Sequence, residues 1–216
     1  GQEHDAQTGK KSSGNTRQPN VSPAGTKGMV AVAEEHGRYL REQERFPAGK
    51  VHVIPNGVDA ERFQPRSDSR ERIRSELGID HHAPVCGLVA ALRPEKNHEL
   101  FLRIASRVQR QLSAARFLII GDGPQRAHFE RMADELGLGA VVSFLGTRHD
   151  IPELLSALDL FLLTSHTEAN PVSVLEAMSV GLPVVATRVG SVAESIANGV
   201  TGFLAEPQNT DELATH

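Results

Sequence analysis

The sequence predicts an α/β protein on a Rossmann-like, doubly wound parallel sheet, and three observations carry that prediction. From residue 85 onward, short apolar runs alternate with amphipathic helical windows, the pattern of consecutive βα units. Five or six such units follow one another, and right-handed crossovers then leave the strands parallel. The runs are continuously apolar rather than alternating, as strands are when helices cover both faces. With 216 residues, 39% of them hydrophobic, the chain is long enough to bury such a core.

Residues 1–28 are rich in Gly, Ser, Asn, Gln, Thr and Lys and nearly devoid of apolar side chains, so a disordered tail is expected there. A strand over 29–33 leads into one exposed helix over 34–44. A strand over 51–54 is closed by Pro55-Asn56-Gly57, where Pro55 fixes its own φ and Gly57 tolerates a positive one. The repeating part then reads as strand 85–90, helix 98–111, strand 116–120, helix 125–136, strand 141–145 and helix 151–157. It continues as strand 160–163, helix 171–180, strand 184–186, helix 192–197 and strand 202–204. A capped helix opens at Thr210-Asp211-Glu212-Leu213 and stops after one turn, which predicts a truncated chain.

Composition excludes several function classes. Only 4% of residues are aromatic, with one tyrosine and no tryptophan, which argues against a platform of stacked rings for sugars or single-stranded nucleic acid. A formal charge of -4 offers no general attraction to polyanions, so no nucleic-acid partner is expected. The one cysteine, Cys86, lies in an apolar run; a disulfide framework or thiolate cluster within the chain is excluded, and a cytoplasmic location is expected. The longest apolar stretches run to ~six residues, far short of the roughly 20 that span a bilayer, and no signal-peptide pattern opens the chain. The protein is expected to be soluble, with at most peripheral contact to a membrane.

In an open parallel sheet, ligands lie at the carboxyl ends of the strands, where loops meet helix N-termini. Four such loops stand out. In Thr164-Ser165-His166-Thr167-Glu168-Ala169-Asn170-Pro171, Asn170 is expected to cap a helix with Pro171 as its first residue. Glu168 precedes that helix and Glu176 lies in its second turn. Continuous helix would separate the two by about 12 Å, but the loop lets Glu168 fold back over the helix mouth. The backbone at Asn170, Pro171 and Val172 then suits a phosphate, and two carboxylates flanking it suit vicinal hydroxyls, so ribose, diphosphate and hexose fit one elongated ligand. The plain alternative is a solvated loop residue at Glu168 and an exposed helix charge at Glu176. Arg93 and Lys96, three apart, can grip one diphosphate without a metal, or they form an ordinary solvated turn. Gly121-Asp122-Gly123-Pro124 lacks the third glycine of the dinucleotide fingerprint and the Lys-Ser/Thr of the P-loop; it supports close backbone passage near a base. His81, His82, His98, His149 and His166 show no metal-ligand spacing and read as surface or polar-loop residues, and no metal site is expected. Asp159, Cys86 and Ser165 carry no partner pattern for nucleophilic catalysis.

These residues bring a family into view. Over about residues 29–216 the chain resembles the C-terminal half of GT-B glycosyltransferases of family 4, retaining enzymes that use nucleotide-activated sugars. The resemblance rests on five ordered motifs: Val53-Ile54-Pro55-Asn56-Gly57-Val58-Asp59, Leu92-Arg93-Pro94-Glu95-Lys96-Asn97-His98, Gly121-Asp122-Gly123-Pro124, the pair Glu168 and Glu176 followed by Ala177-Met178, and Gly181-Leu182-Pro183-Val184-Val185-Ala186-Thr187. It implies that Lys96 and a nearby arginine hold the diphosphate, Glu168 meets the donor sugar as the catalytic carboxylate, and Glu176 meets the ribose. The main chain around Arg148, His149 and Asp150, with Gly121 and Asp122 nearby, would meet the base. It further implies a remnant of an N-terminal acceptor domain over 29–50, a donor domain over 51–216, and an acceptor glycan or lipid bound through the rest of that N-terminal domain. The family arginine stands two residues earlier, where this chain has Ala91, so Arg93 replaces it or points elsewhere. Ala169-Asn170 stand where the family has Gly and a bulky apolar residue.

Three readings follow. The first is a hexosyltransferase acting with retention on a nucleotide sugar such as a UDP- or GDP-hexose, with no further cofactor. The second is a nucleotide-binding module without catalysis, favoured if one wall of the cleft cannot exclude water or orient an acceptor. The third, a nucleotide-sugar isomerase of the same fold, needs acid/base groups from both domains and leaves the Glu168/Glu176 helix unexplained.

Overall fold

A computed structural model describes residues 25–207 and 209–215. The expected tail over 1–28 lies mostly outside the described residues. The larger unit is a six-stranded, all-parallel sheet of β3 (Val85–Val89), β4 (Arg116–Ile120), β5 (Val142–Gly146), β6 (Leu160–Leu163), β7 (Val184–Thr187) and β8 (Gly202–Ala205). Its strand order is β5-β4-β3-β6-β7-β8, the doubly wound order expected. Between the strands run α3 (His98–Gln111), α4 (Arg126–Glu135), α5 (Ile151–Ser156), α6 (Val172–Ser179) and α7 (Val192–Ser195), and α8 (Thr210–Leu213) follows β8. The core is aliphatic: Leu118, Ile119, Phe161, Leu162, Leu163, Val184 and Val185 are essentially inaccessible, and Phe101 meets Phe117 edge to face at 6.3 Å.

Two elements near the start form a separate small sheet. β1 (Met29–Ala31) pairs in parallel with β2 (Val51–Val53), and α1 (Glu34–Glu42) packs on both with Leu40 and Phe46 buried. The strand counted from residue 51 with the donor domain thus pairs and packs with β1. Two separate apolar clusters, one for each sheet, are the physical reason.

One helix escaped the sequence reading altogether. α2 (Ser67–Glu76) offers a single buried apolar residue, Ile73, among charged and polar ones. A buried arginine holds it. Arg74, 1% exposed, donates to the carbonyls of Ala157, His81 and Ala83 and to Asp159 at 2.8 Å. Burial alone would raise the pKa of Asp159, but bonds from Arg70, the Val85 amide and Arg74 hold it below the usual carboxylate value.

Candidate donor-binding site

The strand order reverses between β3 and β6, and ligands of an open parallel sheet sit at the carboxyl edge of such a switch point, beside the loops that follow the two strands. The β3 loop ends in one 3-10 turn, Pro94–Lys96, and in Asn97, whose left-handed backbone (φ 50°) starts α3 while its side chain accepts from the Leu100 amide. The two loops are stitched together: His166 N–H donates to the Glu95 carbonyl at 2.9 Å and Thr164 Oγ1 to the Lys96 carbonyl at 3.2 Å. At this point Lys96 Nζ lies 2.6 Å from Glu168 Oε1, and the buried Ser165 hydroxyl donates to the same oxygen at 2.7 Å. The cation expected at the phosphates and the carboxylate expected at the sugar therefore meet directly. The Glu168 side chain is only 8% exposed, held by these two partners.

The start of α6 differs from the expectation in two ways. Pro171, not Asn170, is the N-cap residue, and the helix runs from Val172 without a side-chain cap. Asn170 is drawn elsewhere, since its Nδ2 donates to the Val32 carbonyl at 2.7 Å and its carbonyl accepts from Asn56 Nδ2 at 2.8 Å. Proline has no amide hydrogen, so the donors at the helix mouth are Val172 and Ser173, the first two amides of the helix, which have no acceptor within it. Val172 is exposed. Glu176, half-buried one turn further, has its pKa raised by burial, with Arg62 opposing. A carboxylate desolvated in this way gains from any hydroxyl donor brought to it.

The remaining candidates line the same edge. A register shift between β4 and β5 sets Gly146 opposite Gly121, whose amide donates to the Gly146 carbonyl at 2.9 Å. Gly121 has φ +141°, and a Cβ there would sit 2.0 Å from the Ala90 carbonyl oxygen, so close backbone passage is what this glycine serves. Asp122 is exposed and its Oδ1 takes the Gly123 amide at 2.7 Å. Arg148 is engaged by Asp150 at 2.6 Å and by Glu76 at 3.2 Å, and its bond to Asp150 lowers the pKa of that carboxyl. The side chains of Arg148 and Asp150 are thus occupied with each other, while His149 is exposed. Arg93 is exposed, and among the described residues its guanidinium has no partner. His98 contradicts its reading as a surface or polar-loop residue: it is fully buried against Phe129 at 5.2 Å, because α3 turns its first residue toward α4. Ser165, Asn56 and the second role of Asn170 were not visible in sequence, since each acts through contacts that no local window displays.

Comparison with known proteins identifies the family of the chain. The chain is 34% identical over 170 residues to the UDP-Gal:alpha-D-GlcNAc-diphosphoundecaprenol alpha-1,3-galactosyltransferase of Escherichia coli, covering 76% of this chain and 43% of that protein. It is 30% identical over 180 residues to the GDP-mannose-dependent alpha-(1-6)-phosphatidylinositol monomannoside mannosyltransferase of Mycolicibacterium smegmatis, covering 78% and 46%. Among solved structures, Anabaena HepE in complex with UDP and glucose superposes with a TM-score of 0.83 at 28% identity, over 91% of this chain and 54% of that one. The chain spans about half the length of the curated relatives it matches. The profile of glycosyl transferases group 1 runs over residues 69–216, which takes in the cleft loops and the sheet that carries them. The chain belongs to this group 1 glycosyl transferase family, and its six-stranded unit has the architecture of the C-terminal domain of the GT-B fold.

Proposed function

We propose that this chain supplies the donor-binding wall of a retaining, family 4 hexosyltransferase that moves a hexose from a nucleotide sugar to a glycan or lipid acceptor. The observation that carries the reading is the meeting of Lys96 and Glu168 on the two loops at the switch point of the sheet, the second of which leads into α6. A nucleoside diphosphate sugar gives each group a better partner than the other. Its phosphates take the Lys96 ammonium and the Val172 and Ser173 amides, its sugar hydroxyls donate to Glu168, and its ribose hydroxyls donate to Glu176. As the bond from sugar to diphosphate breaks, negative charge grows on the leaving phosphate, and a fixed cation with oriented amides stabilises it without reorganisation. The acceptor is met through the rest of the N-terminal domain. The reaction runs in the cytoplasm, with peripheral contact to a membrane where the acceptor is a lipid. The E. coli relative named for UDP-Gal and the M. smegmatis relative named for GDP-mannose support a nucleotide-sugar donor while leaving its base open.

Calorimetric titration of the chain with UDP, GDP and ADP, each with and without excess chelator, tests this reading. Saturable binding of one of them that survives chelation is the expected result. Binding of none overturns it, and binding that needs a divalent cation replaces the Lys96 clamp with a metal bridge.

A further inference from the structure

Resting on the donor-site reading above, we propose that Glu194 is a positioning residue: it holds the unit formed by β1, α1 and β2 against the loop that carries Glu168 and so keeps the sugar end of the cleft in shape. α1 begins after Ala33, whose extended backbone (φ -158°, ψ 158°) is that of a helix cap but whose methyl side chain has no oxygen to offer. The acceptors come from the far end of the chain. Both carboxylate oxygens of Glu194 are used, one by the Glu34 amide at 3.0 Å and the other by the Glu35 amide at 2.9 Å. The side chains of Glu34 and Glu35 bring negative charge to the same helix end, and Arg41, 3.8 Å from Glu34, offsets only part of it. Directed N–H bonds, rather than net charge, therefore hold Glu194 in place.

Two further bonds lie on the same seam, from Asn170 Nδ2 to the Val32 carbonyl and from Asn56 Nδ2 to the Asn170 carbonyl. The corner between β1 and α1 is thus tied at residues 32, 34 and 35 to the loop between β6 and α6 and to α7. The loop that leads into α7 touches the first of these at Glu168. Gly190 has φ +47°, and a Cβ there would lie 1.8 Å from the Glu168 carbonyl oxygen, so the segment just before the helix of Glu194 rests on the backbone of the carboxylate assigned to the sugar. A serine at position 33 would cap α1 within its own unit. An acceptor placed on the other unit instead makes an intact first turn of α1 depend on docking, and a shift of α1 reaches Glu168 through one backbone contact.

The test compares the 216-residue chain with Glu194→Ala and with the double variant Glu194→Ala/Ala33→Ser, which returns a cap to α1 without restoring the link. Glu194→Ala should speed hydrogen exchange at the Glu34 and Glu35 amides about tenfold, the effect of losing a good cap. Adding Ala33→Ser should restore that protection. Residual dipolar couplings of α1 and β6, which share one alignment frame in the parent chain, should still need two frames in the double variant. Its preference for UDP-glucose over UDP, or for GDP-mannose over GDP, should stay reduced about fivefold. A double variant with one alignment frame and the parent's preference would reduce Glu194 to a helix cap and overturn the proposal. If the parent binds none of the four nucleotides, the donor-site reading fails, while the dipolar couplings still decide whether Glu194 fixes the two units.

Discussion

Lys96 and Glu168 neutralise one another at 2.6 Å, so each is already oriented before a ligand arrives. Replacing Lys96 with Ala should weaken nucleoside diphosphate binding by about 1.5–3 kcal/mol, the range for a hydrogen bond to a charged group, as read by calorimetry. Arg93→Ala should weaken it similarly where the exposed guanidinium reaches the phosphates; unchanged affinity would remove Arg93 from the clamp. The two carboxylates should separate by ligand. Glu176→Gln should weaken bare UDP or GDP through the ribose, whereas Glu168→Gln, which also releases Lys96 from its ion pair, should weaken the complete nucleotide sugar relative to the bare diphosphate. Equal losses on both ligands would sink this division of roles. Glu176 adds a stability signature of opposite sign. Its folded pKa lies above the unfolded value because burial penalises the charge, so protonation favours the fold and stability declines as pH rises through that raised range. Glu176→Gln should therefore raise the urea midpoint at pH 7 while lowering nucleotide affinity, and a variant losing both would show that the fold itself satisfies this carboxylate. The sequence already assigns Lys96 and Glu168 to βα loops at the carboxyl edge of a parallel sheet, and on those loops the two meet. Asn170 was misread as a cap because the pull on its amide comes from Val32, 138 positions away.

Among the secondary-structure elements, legibility followed apolar content. β3 to β8 announced themselves as continuous apolar runs, and α3 as a helix with Leu100, Phe101, Leu102, Ile104 and Ala105 turned inward. α2 gave no such signal: its sequence reads Ser-Asp-Ser-Arg-Glu-Arg-Ile-Arg-Ser-Glu, a solvated face on any helical wheel. What docks it is the side chain of Arg74, threaded under the corner between α5 and β6, and a buried arginine cannot be told from an exposed one by periodicity. The dependence of α2 on that one side chain gives a sharp expectation. Arg74→Ala leaves Asp159 short of a partner and the carbonyls of Ala157, His81 and Ala83 without their donor, and should cost about 3–5 kcal/mol in urea unfolding. Arg103→Ala, which removes an exposed pair with Glu99 on α3, serves as the control and should stay within about 0.5 kcal/mol. Similar costs for the two would show that α2 is held by something other than Arg74.

For the whole molecule, the fold class followed from the count and kind of βα units, but the strand order that sets β3 beside β6 is a long-range fact that no window of sequence contains. The burial of His98 is of the same kind. Its position just after Asn97 marks it as a polar helix start, and only the packing of α3 on α4 puts it out of reach of solvent with neither ring nitrogen bonded. Burial lowers its pKa to about 4, with the Lys96 charge adding to the effect. The unfolded chain binds a proton at this imidazole near pH 6.5 and the folded chain does not until about pH 4, so stability is lost as pH falls through that window. Asp150 and Asp159 act elsewhere on the scale: their pKa values are lowered from 3.8, so what they contribute is lost only below that value. Glu176 works in the opposite direction around and above its ordinary 4.5 and subtracts from the slope. His98 should therefore dominate between pH 6.5 and 4.5, where the free energy of unfolding should drop by about 2.5 kcal/mol. His98→Leu keeps an apolar contact for Phe129, removes two unbonded buried nitrogens, and should both stabilise the chain at pH 7 and flatten this slope. Urea unfolding of the two proteins at pH 7.0, 5.5 and 4.5 decides the matter, and a slope that persists unchanged in His98→Leu would assign the acid sensitivity to another titrating group.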